Sequence, residues 1–110
     1  MSTDPTLHSA DEVALERTLQ EKGLNAPRLT PQHIDSLITD VRYHVFPGTT
    51  TTVCCIVLPN GFTVTGDSAC ASPANFNTQV GREIAFRNAR EKIWALEGYV
   101  LRSFLHKQGE

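Results

Sequence analysis

Apolar positions change their spacing twice along this chain, and each change marks a different kind of element. Ser9-Ala10-Asp11-Glu12 has the form of a capping box, in which the serine caps a helix and the glutamate reaches back from its third position. That helix is expected to run to about Lys22, with Gly23 as its left-handed stop. Its apolar face (Ala14, Leu15, Leu19) is thin, so it belongs on the outside. Thr30-Pro31 reads as an N-cap followed by proline at the first helical position, where a missing N–H costs nothing. Ile34, Leu37, Ile38 and Val41 then recur at three- and four-residue spacing and predict a second short helix.

From Arg42 the helical spacing stops. Residues 42–46 read as a strand broken by Pro47-Gly48, and residues 50–58 are almost all β-branched or Cys, as in a strand buried on at least one face. Asn60-Gly61 is a hairpin signal that predicts a type I′ turn, with positive φ at both positions. Residues 62–66 return antiparallel, completing a three-stranded meander. Residues 67–77 form a loop in which Ser72-Pro73 can start one helical turn, and Asn77 is placed to cap the last helix.

That last helix carries no proline from Thr78 onward, and Ala85, Ala89, Ile93, Leu96, Val100 and Phe104 form one continuous apolar stripe. About 29 helical residues span roughly 43 Å at ~1.5 Å each, whereas a compact domain of this size has a radius of gyration near ~13 Å. The helix therefore bends, at Gly98 if anywhere, or projects and packs on another subunit; the open edges of a three-stranded sheet also favour an oligomer. The expected fold class is α+β: two short N-terminal helices, an antiparallel meander and a long C-terminal helix packed in a homo-oligomer. The 110 residues make one domain, with residues 1–29 a peripheral helix and linker and residues 30–110 the core.

Composition narrows the function more by exclusion than by signal. Forty per cent apolar and 20% charged residues are ordinary for a globular domain, and the net charge of -2 argues against a partner such as duplex nucleic acid. No run approaches the roughly 20 apolar residues of a membrane helix, and no signal-peptide core is seen. Three cysteines, two of them adjacent, suit a reducing cytoplasm better than a disulfide framework. The charge is nevertheless unevenly placed. Residues 1–40 hold Asp4, Asp11, Glu12, Glu16, Glu21, Asp35 and Asp40 against Arg17, Lys22 and Arg28. Residues 78–110 hold Arg82, Arg87, Arg90, Lys92, Arg102 and Lys107 against Glu83, Glu91, Glu97 and Glu110. A basic C-terminal third on a weakly acidic chain suits a small anionic ligand.

Candidate chemistry follows the same line. His8, His33, His44 and His106 are scattered, and Cys54-Cys55 point to opposite faces of a strand, so no metal spacing is present. Gly66-Asp67-Ser68-Ala69-Cys70 sets nucleophiles beside a carboxylate but lacks the spacing of a nucleophile elbow, and a turn serine bonding its own backbone explains it as well. No phosphate-binding glycine loop occurs, and no enzymatic activity or cofactor is expected. Gly81, Ala85 and Ala89 form a small-residue row that lets another backbone approach closely. Glu83, Arg87 and Glu91 neutralise one another on the opposite face. Arg82, Phe86 and Arg90 form a further row without acids one turn away. Two guanidiniums around an aromatic ring suit a phosphorylated ligand with a flat base, and Asn75-Phe76 adds an amide and a second ring. The alternative is that both rings are core and both arginines solvated.

Several blocks together carry a resemblance: Asn60-Gly61-Phe62, Gly66-Asp67-Ser68-Ala69-Cys70, Asn75-Phe76, Gly81-Arg82-x-Ile84-Ala85 and Lys92-Ile93-Trp94-x-Leu96-Glu97-Gly98-Tyr99-x-Leu101. They span about 40 positions, and the last is the most specific. In these the chain resembles a widespread family of small phage and prophage proteins that includes the first type of Thoeris anti-defence protein. The resemblance implies a sponge in the cytoplasm of the host bacterium, which holds the cyclic ADP-ribose signal of TIR-domain proteins without cleaving it. Some members also bind cyclic oligonucleotides, in hexamers built from dimers. Ligand contacts in the family are an aromatic ring on adenine, an asparagine, and arginines on phosphates. The candidates here are Phe76 or Phe86, Asn75, Arg82 and Arg90, with Lys92 from the specific block. The competing expectation is a non-catalytic module that binds a host or phage protein.

Overall fold

The structure is a computed structural model that describes residues 10–23 and 26–109. The element order is α1 (Ala10–Glu21), α2 (Pro31–Ser36), β1 (Asp40–Val45), β2 (Thr51–Val57), β3 (Thr63–Ala69), a 3₁₀ turn (Pro73–Asn75) and α3 (Thr78–Lys107). The sheet is an antiparallel meander in the order β1-β2-β3, with Tyr43 opposite Cys54 and Cys54 opposite Gly66. The α+β architecture expected from the sequence is the one observed.

The core lies between one face of this sheet and α3. Cys54, Ile56 and Val64 meet Ala85, Phe86, Ala89 and Ile93, and Ile34 of α2 closes the end. The row of small residues on α3 is what allows the contact. Gly66 stands so close to the helix that a Cβ on it would meet the Ala89 nitrogen at 2.1 Å and the Ala85 carbonyl oxygen at 2.5 Å. The backbone that approaches this row is thus the chain's own edge strand β3. Glu83, Arg87 and Glu91 face solvent, as their mutual neutralisation suggested.

Local signals explain most boundaries. The Thr30 hydroxyl accepts from the His33 amide at 3.1 Å, and the Asn77 side chain accepts from the Val80 amide at 3.0 Å. The expected Ser9 cap lies outside the described residues, while Gly23 does take a positive φ of 67° after α1. Helix α2 is shorter than its apolar spacing predicted. Leu37 and Ile38 bond three residues back, and the Thr39 amide donates to Val57 O at 3.0 Å, which draws the chain into the sheet and leaves Val41 in β1. Strand β3 continues past Gly66 to Ala69, so Asp67 and Ser68 are strand residues rather than loop.

The hairpin turn also differs from expectation. Gly61 has φ 88°, but no residue other than glycine takes a positive φ among the described residues, which rules out type I′. Pro59 occupies the first turn position, Gly61 N donates to Leu58 O at 2.9 Å and Leu58 N to Phe62 O at 2.8 Å. This is a three-residue loop with glycine in the left-handed position after a type I turn. It carries Phe62 outward, where the ring is exposed.

Helix α3 runs from Thr78 to Lys107 without a break at Gly98. The radius of gyration is 16.4 Å and the extents are 53 × 31 × 23 Å, against ~13 Å for a compact chain of this length. The apolar stripe is continuous, yet only Ala85, Ala89 and Ile93 are buried; Leu96, Val100 and Phe104 on the projecting half are exposed. Among the described residues no helix is long and apolar enough to cross a membrane.

Candidate functional site

The row Arg82, Phe86 and Arg90 does not form a free ligand face. Phe86 is 1% exposed and sits among the core residues, so its ring is not open to stack on a bound base as the sequence suggests. Arg90 is 3% exposed and its guanidinium is already engaged: Nε donates to Asp35 at 2.8 Å, Nη1 to both Glu12 oxygens at 2.9 Å and Nη2 to Pro31 O at 3.4 Å. Burial works against its charge, but the bonds to Asp35 and then Glu12 outweigh it and hold Arg90 protonated. In this conformation Arg90 therefore ties three helices together and has no face left for a phosphate. Arg82 is exposed, with its guanidinium 5.3 Å from the centre of the Tyr43 ring.

Asn75 and Phe76 do share a site, though not with the arginines. They line a cavity of about 200 Å³ together with Ser68, Cys70, Val80 and Ile84. The Ser68 hydroxyl donates to Gly81 O at 2.7 Å and the Cys70 thiol to Ser72 O at 3.1 Å, so these two groups brace the wall of the cavity. Cys54, on the core face, is pushed up to about 11 by burial first and by the neighbouring Cys55 second, which leaves it a thiol at neutral pH.

A larger concavity lies further along α3 and contains Lys92. It is an open groove of about 730 Å³ between the β2–β3 hairpin, the edge strand β3 and the helix. Asn60 and Phe62 come from the hairpin, and Lys92, Leu96 and Tyr99 from α3. Tyr99 is 77% exposed and Phe62 57% exposed, so both aromatic side chains reach solvent. The groove offers an amide, a cation and two aromatic surfaces, the set of groups that grips a base by stacking and a phosphate by charge. Glu97 also lines it, with one carboxylate oxygen 3.1 Å from His33 Nε2.

Against this geometry, comparison with protein families is informative. Residues 29–105 match the model of the phage protein (N4 Gp49/phage Sf6 gene 66) family. The chain belongs to this family. Comparison with curated proteins and with solved structures gives no match. The family span takes in the whole sheet, nearly all of α3 and each of Asn75, Phe76, Arg82, Phe86, Arg90 and Lys92. It starts after Arg28, so α1 and the acids by which it is attached fall outside it.

The structure thus distributes the six sequence candidates over four places: a cavity wall (Asn75, Phe76), the β1 side of α3 (Arg82), the core and its ionic seal (Phe86, Arg90), and the groove (Lys92). Tyr99, Phe62 and Asn60 were not singled out as contacts. Their signal is present in the sequence: Lys92, Leu96 and Tyr99 are spaced four and three apart and so share one helix face, while Asn60 and Phe62 stand in the hairpin and in a block of the resemblance, with nothing local that places them opposite that face.

Proposed function

We propose that this phage-family protein is a sponge that binds and sequesters a small phosphorylated cyclic nucleotide in the host cytoplasm without cleaving it. A cyclic ADP-ribose isomer is the favoured ligand and cyclic oligonucleotides are a further class. The observation that carries the reading is the 730 Å³ groove, which Lys92, the exposed Phe62 and Tyr99 and the Asn60 amide line together. A flat base stacks on one ring, the amide reads its edge, and the ammonium meets a phosphate. The resemblance of the block from Lys92 to Leu101 to anti-defence proteins supports the same ligand class. Asn75 and Phe76 in the smaller cavity, and the exposed Arg82, are candidates for a second contact set.

Sequestration needs slow release more than chemistry, and nanomolar retention corresponds to about 12 kcal/mol. An open groove on one chain does not enclose a ligand, and Leu96, Val100 and Phe104 on α3 beside it are exposed. A second copy packed there in a dimer or hexamer would deepen the site. The test is to incubate purified protein with cyclic ADP-ribose isomers and cyclic di- and trinucleotides, denature it by heat and analyse what is released. Intact ligand, retained less by Lys92→Ala and Tyr99→Ala, is the expected result. No retention across the panel, or release of cleaved product only, overturns the reading.

A second reading rests on the projecting half of α3, where Leu96, Val100 and Phe104 are exposed on one stripe. A host or phage protein that covers this stripe would make the chain an interaction module. A stoichiometric protein partner, with no nucleotide retained, is the result that favours it.

A further inference from the structure

Strand β3 is an edge of the sheet, and the register shows which of its main-chain groups face away from it. Leu58 N donates to Phe62 O at 2.8 Å, and the ladder continues with Ile56 opposite Val64 and Cys54 opposite Gly66. Hydrogen-bonded pairs alternate along an antiparallel ladder, so the amides and carbonyls of Val64 and Gly66 face β2, and those of Thr63, Thr65 and Asp67 face outward. One outward group is covered: the Asn88 side chain donates to Asp67 O at 2.8 Å. The 730 Å³ groove lies beyond that contact, and its lining includes Thr63 and Thr65, exposed on one face of the sheet, and Val64, buried on the other. A concavity that touches consecutive strand residues of both faces runs along the edge of the strand, where the main chain is.

From this edge we infer that the groove also docks an extended peptide, which adds as a fourth strand beside β3 and carries an acidic residue at the Lys92 end. Outward main-chain groups on an edge strand are a template for another strand. Helix α3 runs antiparallel to β3, with Gly81 at Ser68 and Ala89 at Gly66. Four helical residues rise ~6.0 Å and two strand residues ~6.8 Å, so the row Asn88, Lys92, Leu96 keeps step with Asp67, Thr65, Thr63. The Asn88 bond ends the free edge at Asp67, which leaves Lys92 beside Thr65, Leu96 beside Thr63 and Val100 further on. An added antiparallel strand turns every second side chain towards α3. The first of these meets the Lys92 ammonium, which has no ion pair among the described residues. The next two meet Leu96 and Val100, both exposed in the single chain. The edge thus selects an acidic, an apolar and an apolar residue at alternate positions. This occupant is of a different class from the nucleotide of the sponge reading, and each excludes the other from the groove.

The test titrates the full chain with the blocked peptide acetyl-Asp-Thr-Val-Thr-Ile-amide, whose two threonines stand opposite Thr65 and Thr63, and follows the backbone amides of those two residues by nuclear magnetic resonance. At saturation their exchange with solvent is expected to slow about tenfold or more. N-methylation of the first threonine of the peptide removes an amide that points at β3, whereas N-methylation of its valine removes one that points away. The first change is expected to weaken binding about tenfold more than the second. Lys92→Glu is expected to weaken binding of this peptide and to favour the same peptide with lysine in place of its aspartate. No change at the Thr63 and Thr65 amides in ~5 mM peptide, a millimolar ceiling for a short strand, overturns the inference, as does equal loss from the two methylated peptides. Unaltered binding of both peptides by Lys92→Glu overturns the acidic position. Failure here is separate from failure of the sponge reading, since peptide binding is read at the β3 amides and nucleotide retention on ligand released by heat.

Discussion

Gly66 of β3 and Ala89 of α3 touch backbone to backbone: a Cβ on the glycine would stand 2.1 Å from the alanine nitrogen. No rotamer relieves a clash of Cβ with main chain, so Gly66→Ala must push helix and sheet apart across the core. The expected loss is about 3 kcal/mol or more, seen as a lower urea midpoint with an unchanged slope. Gly81→Ala is the informative control, since the nearest atoms its Cβ would meet are side-chain atoms of Thr52, from 3.0 Å, and Ser68, at 3.6 Å, rather than backbone. Helix propensity returns up to about 1 kcal/mol for that change, and the net effect is expected within ~1 kcal/mol of wild type.

Arg90 is expected to matter for stability far more than its surface share suggests. Removing a buried charge that balances two carboxylates costs about 3–5 kcal/mol in comparable pairs, reduced here because Asp35 and Glu12 keep partial contact with water. Arg90→Ala should therefore lose about 2–4 kcal/mol in urea denaturation. Glu12→Gln leaves Asp35 on the guanidinium and should lose much less, with the change confined to hydrogen exchange in and beside α1. Equal losses from both variants would mean that Arg90 does not depend on Asp35.

How far the sequence could be read follows from which interactions are local. The Thr30 and Asn77 caps, the meander and the length of α3 all arise from contacts within a few residues, and each is legible as spacing or residue type. Arg90 is different. A search for partners one helical turn away finds none, because its acids lie 55 and 78 positions off in sequence. Phe86 was misplaced for a related reason: it adjoins Ala85 on α3, and the buried arc there is wide enough to take in both. The Asn60-Gly61 turn failed as type I′ because Pro59 sets the first turn position and shifts glycine to the end of the loop. In the groove, the face shared by Lys92, Leu96 and Tyr99 was readable, but the meeting of α3 with the hairpin that brings Phe62 and Asn60 there is tertiary.

Alkaline pH should destabilise the fold in two overlapping steps. Burial raises the Cys54 thiol from 9.0 to about 11, and burial, with Cys54 nearby, raises the Tyr43 hydroxyl from 10.0 to about 12. Both groups prefer to be neutral in the folded chain, so their contribution is complete below pH 9 and is lost as pH climbs through the raised values. Thermal midpoints measured under reducing conditions should be flat from pH 7 to about 9 with respect to these groups and then fall steadily towards pH 11. Cys54→Ala should start lower, because a buried side chain is truncated, but should decline less between pH 9 and 10. Parallel decline in both proteins would show that Cys54 stays neutral in the unfolded chain over that range or ionises freely in the folded one.

The projecting half of α3 should govern how many copies assemble. Leu96, Val100 and Phe104 lie on the stripe that upstream buries Ala85, Ala89 and Ile93, so the helix extends a core-forming surface beyond the core its own chain supplies. Val100 and Phe104 are both exposed, so charge placed there meets solvent in a single chain and a desolvated apolar surface in an assembly. Val100→Glu/Phe104→Glu is expected to leave the far-ultraviolet spectrum unchanged and to alter monomer stability by only about 0.5 kcal/mol per site. In sedimentation equilibrium the wild type should have the mass of a dimer or hexamer, and the double variant that of one 12.1 kDa chain. A wild type already monomeric at high micromolar concentration would remove the second copy from the proposed site and leave the stripe to a different protein.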